Sequence, residues 1–361
     1  MRLARDAFSQ DTLPASLQFR RGTVSSPAIV HSYPLAVRNC GLFSAFGLLL
    51  RSLPYALIRF AVLLAFSLAS IIWVVLTLGG SVWLSAHVAP AFGWVWFTSG
   101  ALLAGWFWMA SLRYFLHLIE CGHVAVLTQL IVRGRVGNGT ESMFAYGRRI
   151  VTEHFGQVNV LFAMNLLVRG VLNAFHRTLD WIAEVLPIPG LGAIANLLTA
   201  ILRAATRYMD KVILSYNLAR NDENPWNSAR DGIVYYCQNA RPILKTAVWI
   251  VVAELALSII LWLLLLGPAA AITVMLPQSV RGAGALPVII AVLFALAARG
   301  AFVKPLFLIM ILVRFHTAIE GQPIRQDWVA RLDQLSSKFR NLEQKAQTYT
   351  QGTPTNPAPQ S

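Results

Sequence analysis

The sequence predicts an all-α integral membrane protein, a polytopic helical bundle. Three observations carry this. The 361 residues are 56% hydrophobic and only 13% charged, whereas a soluble domain usually carries about 25% charged residues. Apolar runs reach the roughly twenty residues that cross a bilayer as a helix. The net charge of +14, from 30 Lys+Arg against 16 Asp+Glu, collects in the segments between those runs, as it does in cytoplasmic loops.

The same numbers bound the other classes. The basic residues are scattered and accompany no nucleic-acid-binding motif, so nucleic acid is not expected as a partner. Cys40, Cys121 and Cys237 show no CxxC or metal spacing and read as reduced, small apolar residues. The first apolar run begins only after Asn39, and no small-residue cleavage site marks a signal peptide. Gly-x-Ser-x-Gly, Walker and His-Glu-x-x-His sequences are all missing, so neither an enzyme nor a cofactor is predicted.

Residues 1–34 are polar, with Pro14, Pro27 and Pro34, and read as a cytoplasmic tail. Residues 35–53 mix apolar side chains with Arg38 and Arg51, the pattern of an interfacial helix, so 1–54 forms one unit. The first firm span is 55–78, ended by Gly79-Gly80. A second begins near 91, and its apolar character continues past Arg113 to Val132. That is too long for one straight crossing. Residues 133–155 are polar and basic; their Asn138-Gly139-Thr140 sequon would go unused in the cytoplasm. Weaker apolar segments follow at 156–176 and 189–206. Firm spans at 246–266 and 286–313 close the membrane region of 55–318. Residues 319–346 hold one amphipathic helix, with Leu332, Leu335, Phe339 and Leu342 on one side. The tail 347–361 has a disordered composition.

Arg and Lys set the orientation. None falls in 79–112, and only Arg281 lies in 267–285. Both termini are therefore expected in the cytoplasm, with four firm spans and a weaker pair that brings the number to six. The stretch NSARDGIVYYCQNARPILK (227–245) is then a cytoplasmic or interfacial helix. Ser228 and Asp231 match a capping box, Arg230, Arg241 and Lys245 are placed for anionic headgroups, and Pro242 marks a bend into the next span.

That stretch also carries a family likeness. SARDGIVYYCQNARPILK resembles the segment before the penultimate span of choline transporter-like (CTL) proteins, where Ser-Ala-(Arg/Lys)-x-(Ala/Gly) leads into an apolar stretch, an Asn and a basic residue. LPVIIAVLFALAARGAFVKPLFLIMILVRFHTAIE is similar to the family's last span, with its mid-span glycine matched by Gly300. YGRRIVTEHFGQVNVLFAMNLLVRG resembles its Arg-rich approach to an earlier span. The likeness covers about 99–345, mainly the family's C-terminal half. The large cysteine-bearing extracellular region of eukaryotic members has no counterpart here. The resemblance implies transport of choline or a related small organic cation across the plasma (inner) membrane.

Several residues are candidates for that chemistry. Glu254 lies inside an apolar span, where a carboxyl is costly. It neutralises a substrate cation or carries a proton, or it pairs with Arg169 or Lys304, or it sits protonated by a polar neighbour. Trp106 and Trp108 lie deep in the second span and could present aromatic faces to a quaternary ammonium, or belong to an aromatic belt. Asn165, Arg169 and Asn173 share one helical face that lines a cavity or is simply wet. Glu254, Trp106, Trp108, Asn165 and Arg169 form the expected substrate site. His117, Glu120 and His123 lie at one-turn spacing, but the partner carboxylates of a di-iron site are missing, and an interfacial polar cluster is expected instead. Pro187, Pro189, Gly190 and Gly192 break a helix at membrane depth or form an extracellular turn. Two alternatives to transport stand: a membrane scaffold that holds anionic lipids or a partner, and a pore-forming homo-oligomer.

Overall fold

A computed structural model describes residues 33–103, 105–106, 109–137, 141–153, 167–168, 170–175, 208–220, 224–275 and 285–352. Every regular element among them is a helix. In chain order these are α1 (Leu42–Arg51), α2 (Leu53–His87), α3 (Pro90–Leu103), α4 (Met109–Arg133), α5 (Met143–Glu153), α6 (Met209–Arg220), α7 (Pro225–Gln238) and α8 (Ala240–Met275). They are followed by α9 (Ala285–Ala298), a π-helical turn (Arg299–Val303), α10 (Lys304–Ile319), α11 (Gln326–Leu335) and α12 (Ser337–Gly352).

Among the described residues, four helices are long and apolar enough to cross a membrane: Leu53–His87, Ala110–Arg133, Ala240–Met275 and Pro287–Ile319. Three of them run past the ends of the predicted spans. Gly79-Gly80 does not end the first; α2 continues to His87. Glycine is tolerated inside membrane helices, and here Gly80 makes room for the Trp96 indole of α3. In the long second apolar region, Ala110–Arg133 is of membrane length; residues 104 and 107–108, between α3 and α4, lie outside the described residues.

At one end, here called apical, α2 and α3 form an antiparallel hairpin. Its seam is made of small residues. Gly93 packs against Ser81 and Ser85, and Gly100 against Thr77. Side chains without Cβ bulk let the two backbones approach, the usual device between helices in lipid. Polar atoms then bridge the seam. Ser81 Oγ donates to Gly93 O at 2.9 Å, Trp73 Nε1 to Gly100 O at 3.1 Å and Trp96 Nε1 to Leu76 O at 3.3 Å.

At the other, basal end a solid core forms from the ends of α4, α8 and α10 together with α1, α6, α7, α11 and α12. The stretch expected at an interface is its centre. Ala229, Ile233, Val234, Tyr235 and Tyr236 are fully buried. Its predicted capping box is absent. The cap of α7 is Asn224, which accepts from the N–H groups of Trp226 and Asn227 and donates to Ala346 O of α12 at 2.9 Å. Asp231 instead turns inward, between Arg220 and Arg230, each at 2.7 Å. Arg230 is thus engaged inside the protein, while Arg241 and Lys245 remain exposed. The break before the span falls at Asn239, and Pro242 sits within the first turn of α8.

The C-terminal amphipathic segment is two helices, not one. Ser336 adopts an extended backbone (φ −145°) between α11 and α12. Leu332, Phe339 and Leu342 are buried as their spacing predicts, but the break turns Leu335 to 37% exposure. Of the weak segment 156–206, only 167–168 and 170–175 are described. Val168, Val171, Leu172 and Phe175 sit in the basal core, with Phe175 edge-on to Trp328 at 5.9 Å. The expected helix break at Pro187–Gly192 lies outside the described residues.

Candidate substrate site

Pro305 shapes the region around Glu254. It has no N–H to return to the preceding turn and its ring crowds the carbonyl four residues back. The helix accommodates it by widening. Lys304 N–H reaches Arg299 O, five residues back, and the π turn Arg299–Val303 results. Such turns rotate the residues on either side relative to an unbroken helix and recur at functional sites. Gly300, the glycine matched in the resemblance, lies where α2 comes closest. A Cβ there would meet Leu63 Cδ1 at 2.7 Å.

The turn aims Arg299 at α8. Its Nη2 donates to Glu254 Oε1 at 2.9 Å, with the Glu254 side chain 8% exposed and that of Arg299 36%. Ser258, one turn along α8, donates to the Glu254 backbone carbonyl. Of the two partners considered from sequence, Arg169 lies outside the described residues and Lys304 follows the π turn. Arg299 pairs with Glu254, and it was legible only as an interruption of the last apolar run. Its position opposite Glu254 depends on the π turn, which spacing along an ideal helix does not reveal.

The other expected site residues are placed unevenly. Trp106 is 78% exposed, and no described residue closes a cage over its ring. Trp108, Asn165 and Arg169 lie outside the described residues. Asn173 is exposed at the edge of the basal core. A groove of about 520 Å³ opens away from Glu254, along the apical hairpin, between Ser81, Val82, Ser85, Ala86, Trp94 and Phe97.

His117, Glu120 and His123 take three separate partners. Glu120 is the hub of an ion cluster, receiving Arg59 of α2 at 2.6 Å and Lys211 of α6 at 3.2 Å; Lys211 also meets Asp210 at 2.7 Å. Burial disfavours the Lys211 ammonium, but Glu120 and Asp210 outweigh it and hold its pKa above the ordinary lysine value. His123 Nε2 meets Ser52 Oγ at 3.0 Å, and its ring stacks on Tyr55. His117 faces Cys121. Among the described residues no group of three such side chains could hold a metal.

A buried relay was not legible at all. Thr128 Oγ1 donates to Val124 O at 2.7 Å and lies 2.7 Å from Ser215 Oγ, which lies 2.8 Å from His316 Nε2. Tyr33 Oη is 2.6 Å from His316 Nδ1. One assignment satisfies all four groups. Thr128 spends its proton on the carbonyl, so Ser215 donates to Thr128, His316 donates from Nε2 to Ser215, and Tyr33 donates to Nδ1. The Ser-His pairing resembles a nucleophile and its base. Both residues are fully buried, however, and no substrate carbonyl could reach Ser215. The relay ties the N-terminal stretch, α4, α6 and α10 together.

No family model, curated protein or solved structure matches the chain.

Proposed function

We propose that this chain is a membrane transport protein for choline or a similar small organic cation, and that Glu254 is the anionic element of its site. The observation that carries this is the Glu254–Arg299 pair at the π turn. A carboxylate within a span marks a pathway by default. Here an internal guanidinium occupies the place a cationic substrate would take. In this reading Arg299 is a resident competitor. Substrate entry displaces it, and the π turn gives it somewhere to go. The resemblance to CTL proteins supports the same substrate class. Trp106, Trp108, Asn165 and Arg169 complete the proposed site, and six spans with both termini in the cytoplasm of the plasma membrane complete the proposed topology.

Uptake of labelled choline into proteoliposomes tests this. The expected result is saturable uptake, competed by unlabelled choline, lost in Glu254→Gln and with a lower KM in Arg299→Gln. Failure of both choline and ethanolamine to move above empty vesicles, with the protein folded, would overturn it. The scaffold reading would then stand, on the observation that the basal end holds one continuous cluster of buried apolar residues.

A further inference from the structure

We infer that α1, together with the turn after α4, forms a binding site for anionic phospholipid headgroups on the basal side of the bilayer. Helix α1 has two apolar faces with different fates. Ala45, Leu48 and Leu49 are buried in the basal core, where α1 lies along α10. Phe43, Phe46 and Leu50 form the opposite stripe and are 95%, 51% and 52% exposed. These three positions fall within about 60° of one another on a helical wheel.

Arg51 closes the helix beside that stripe. Its Nη2 donates to Gly134 O at 2.6 Å. Gly134 has a left-handed backbone (φ +70°), which turns the chain sharply between Arg133 and Arg135, both exposed. Three arginines therefore lie on or against one turn, next to the end of the exposed stripe of Phe43, Phe46 and Leu50. Among the described residues none of the three is in an ion pair. Glu141, the acid nearest in sequence, is held by Arg149 at 2.9 Å.

The bilayer is the occupant that fits. Ser52 alone separates α1 from the membrane-length α2, so the stripe cannot leave the bilayer face. The joint is also stiff. Ser52 Oγ donates to Leu48 O at 3.0 Å and meets His123 Nε2 at 3.0 Å. An amphipathic helix at this depth buries its rings among acyl chains while its cations meet headgroups.

Native mass spectrometry of the full chain in neutral detergent, titrated with phosphatidylglycerol or phosphatidylcholine, tests the site. Arg51→Gln/Arg133→Gln/Arg135→Gln is expected to weaken phosphatidylglycerol retention by about tenfold or more, leaving phosphatidylcholine unchanged. Arg325→Gln/Lys338→Gln/Arg340→Gln, which removes the same charge from the residue before α11 and from α12, is expected to leave both unchanged. Phe43→Ser/Phe46→Ser is expected to weaken both lipids, and carries the test if the arginine variant does not fold. Equal losses in the two charge variants would overturn the site in favour of diffuse net charge. Competition by inorganic phosphate as effective as that by lipid would make it a free-anion site and overturn it. A dimer lost in Phe43→Ser/Phe46→Ser with lipid binding intact would assign the face to a second copy and overturn it.

Discussion

Arg299→Leu isolates the membrane-embedded pair. The substitution keeps an apolar side chain of fair size in the π turn but removes the guanidinium 2.9 Å from Glu254, whose side chain is 8% exposed. Removing one partner of a buried ion pair costs about 3–5 kcal/mol, because the other charge is left without compensation. Replacing both partners by apolar residues is often neutral. Arg299 is itself 36% exposed, which places the expected cost near the lower end, about 3 kcal/mol. At roughly 2–4 °C per kcal/mol for a large domain, the melting temperature falls by about 6–12 °C. Glu254→Leu falls by a similar amount. The double variant Glu254→Leu/Arg299→Leu returns to within a few degrees of the parent. Melting of all four proteins in the same detergent, followed by loss of the monodisperse peak on size exclusion, completes the double-mutant cycle. If the single effects add in the double variant, the two side chains are not coupled and the account of this site is wrong.

Three further outcomes are expected. Gly93→Val drives a Cβ into Ser85 and to 2.6 Å from Ser81 O, and a backbone oxygen cannot yield as a side chain can. About 1–3 kcal/mol of overpacking is expected to lower the melting temperature, whereas Gly79→Ala, with open space around it, leaves it unchanged. Asp231→Asn removes the fully buried carboxylate that holds both Arg220 and Arg230 at 2.7 Å. Its melting temperature falls far more than that of Arg325→Gln, whose exposed pair with Asp327 is screened by solvent. The Arg38–Glu320 pair, at 2.6 Å, fastens the N-terminal stretch just beyond α10. Its hydrogen bond to Arg38 holds the Glu320 carboxyl below the ordinary value of 4.5. A carboxylate depressed by folding contributes stability that is fully present above 4.5 and is lost as pH falls through the lower folded value. The difference in melting temperature between Glu320→Gln and the parent should therefore be present at neutral pH and vanish in acid; a difference that grows in acid would contradict the assignment.

The spans were legible because lipid imposes a simple demand, a long run of apolar residues, and α2, α8 and the α9–α10 helix meet it in the primary sequence. Their ends were not. Gly79-Gly80 looks like a stop until the Trp96 ring is known to lie across it. The stretch 227–245 misled for a related reason. Ser228 and Asp231 read as a capping box and Arg230 as a contact for lipid headgroups, yet Arg220 lies eleven positions away from Asp231 on α6, and their meeting inside the core is a tertiary event. Glu254 stood out because a carboxylate in an apolar run is locally conspicuous. Its partner did not, since the rotation introduced by the π turn decides which side of the last span Arg299 occupies. Nothing in the sequence joins Tyr33, Thr128, Ser215 and His316. They are four ordinary residues spread across nearly the whole described chain.

The two ends of the molecule are held together by different solvents. Within the most apolar stretch of α2 only 6% of residues are covered by protein, and in α8 17%, against 72% in the helix from Pro287 to Ile319. The apical hairpin therefore touches little besides itself, and its cohesion on the outside is supplied by lipid. The basal end carries its own interior, as a water-soluble domain does. Solubilisation divides the protein along that line. Harsh detergent should loosen the hairpin first and leave a folded basal body, so a preparation can retain its helical content and melting transition after its apical half has come apart.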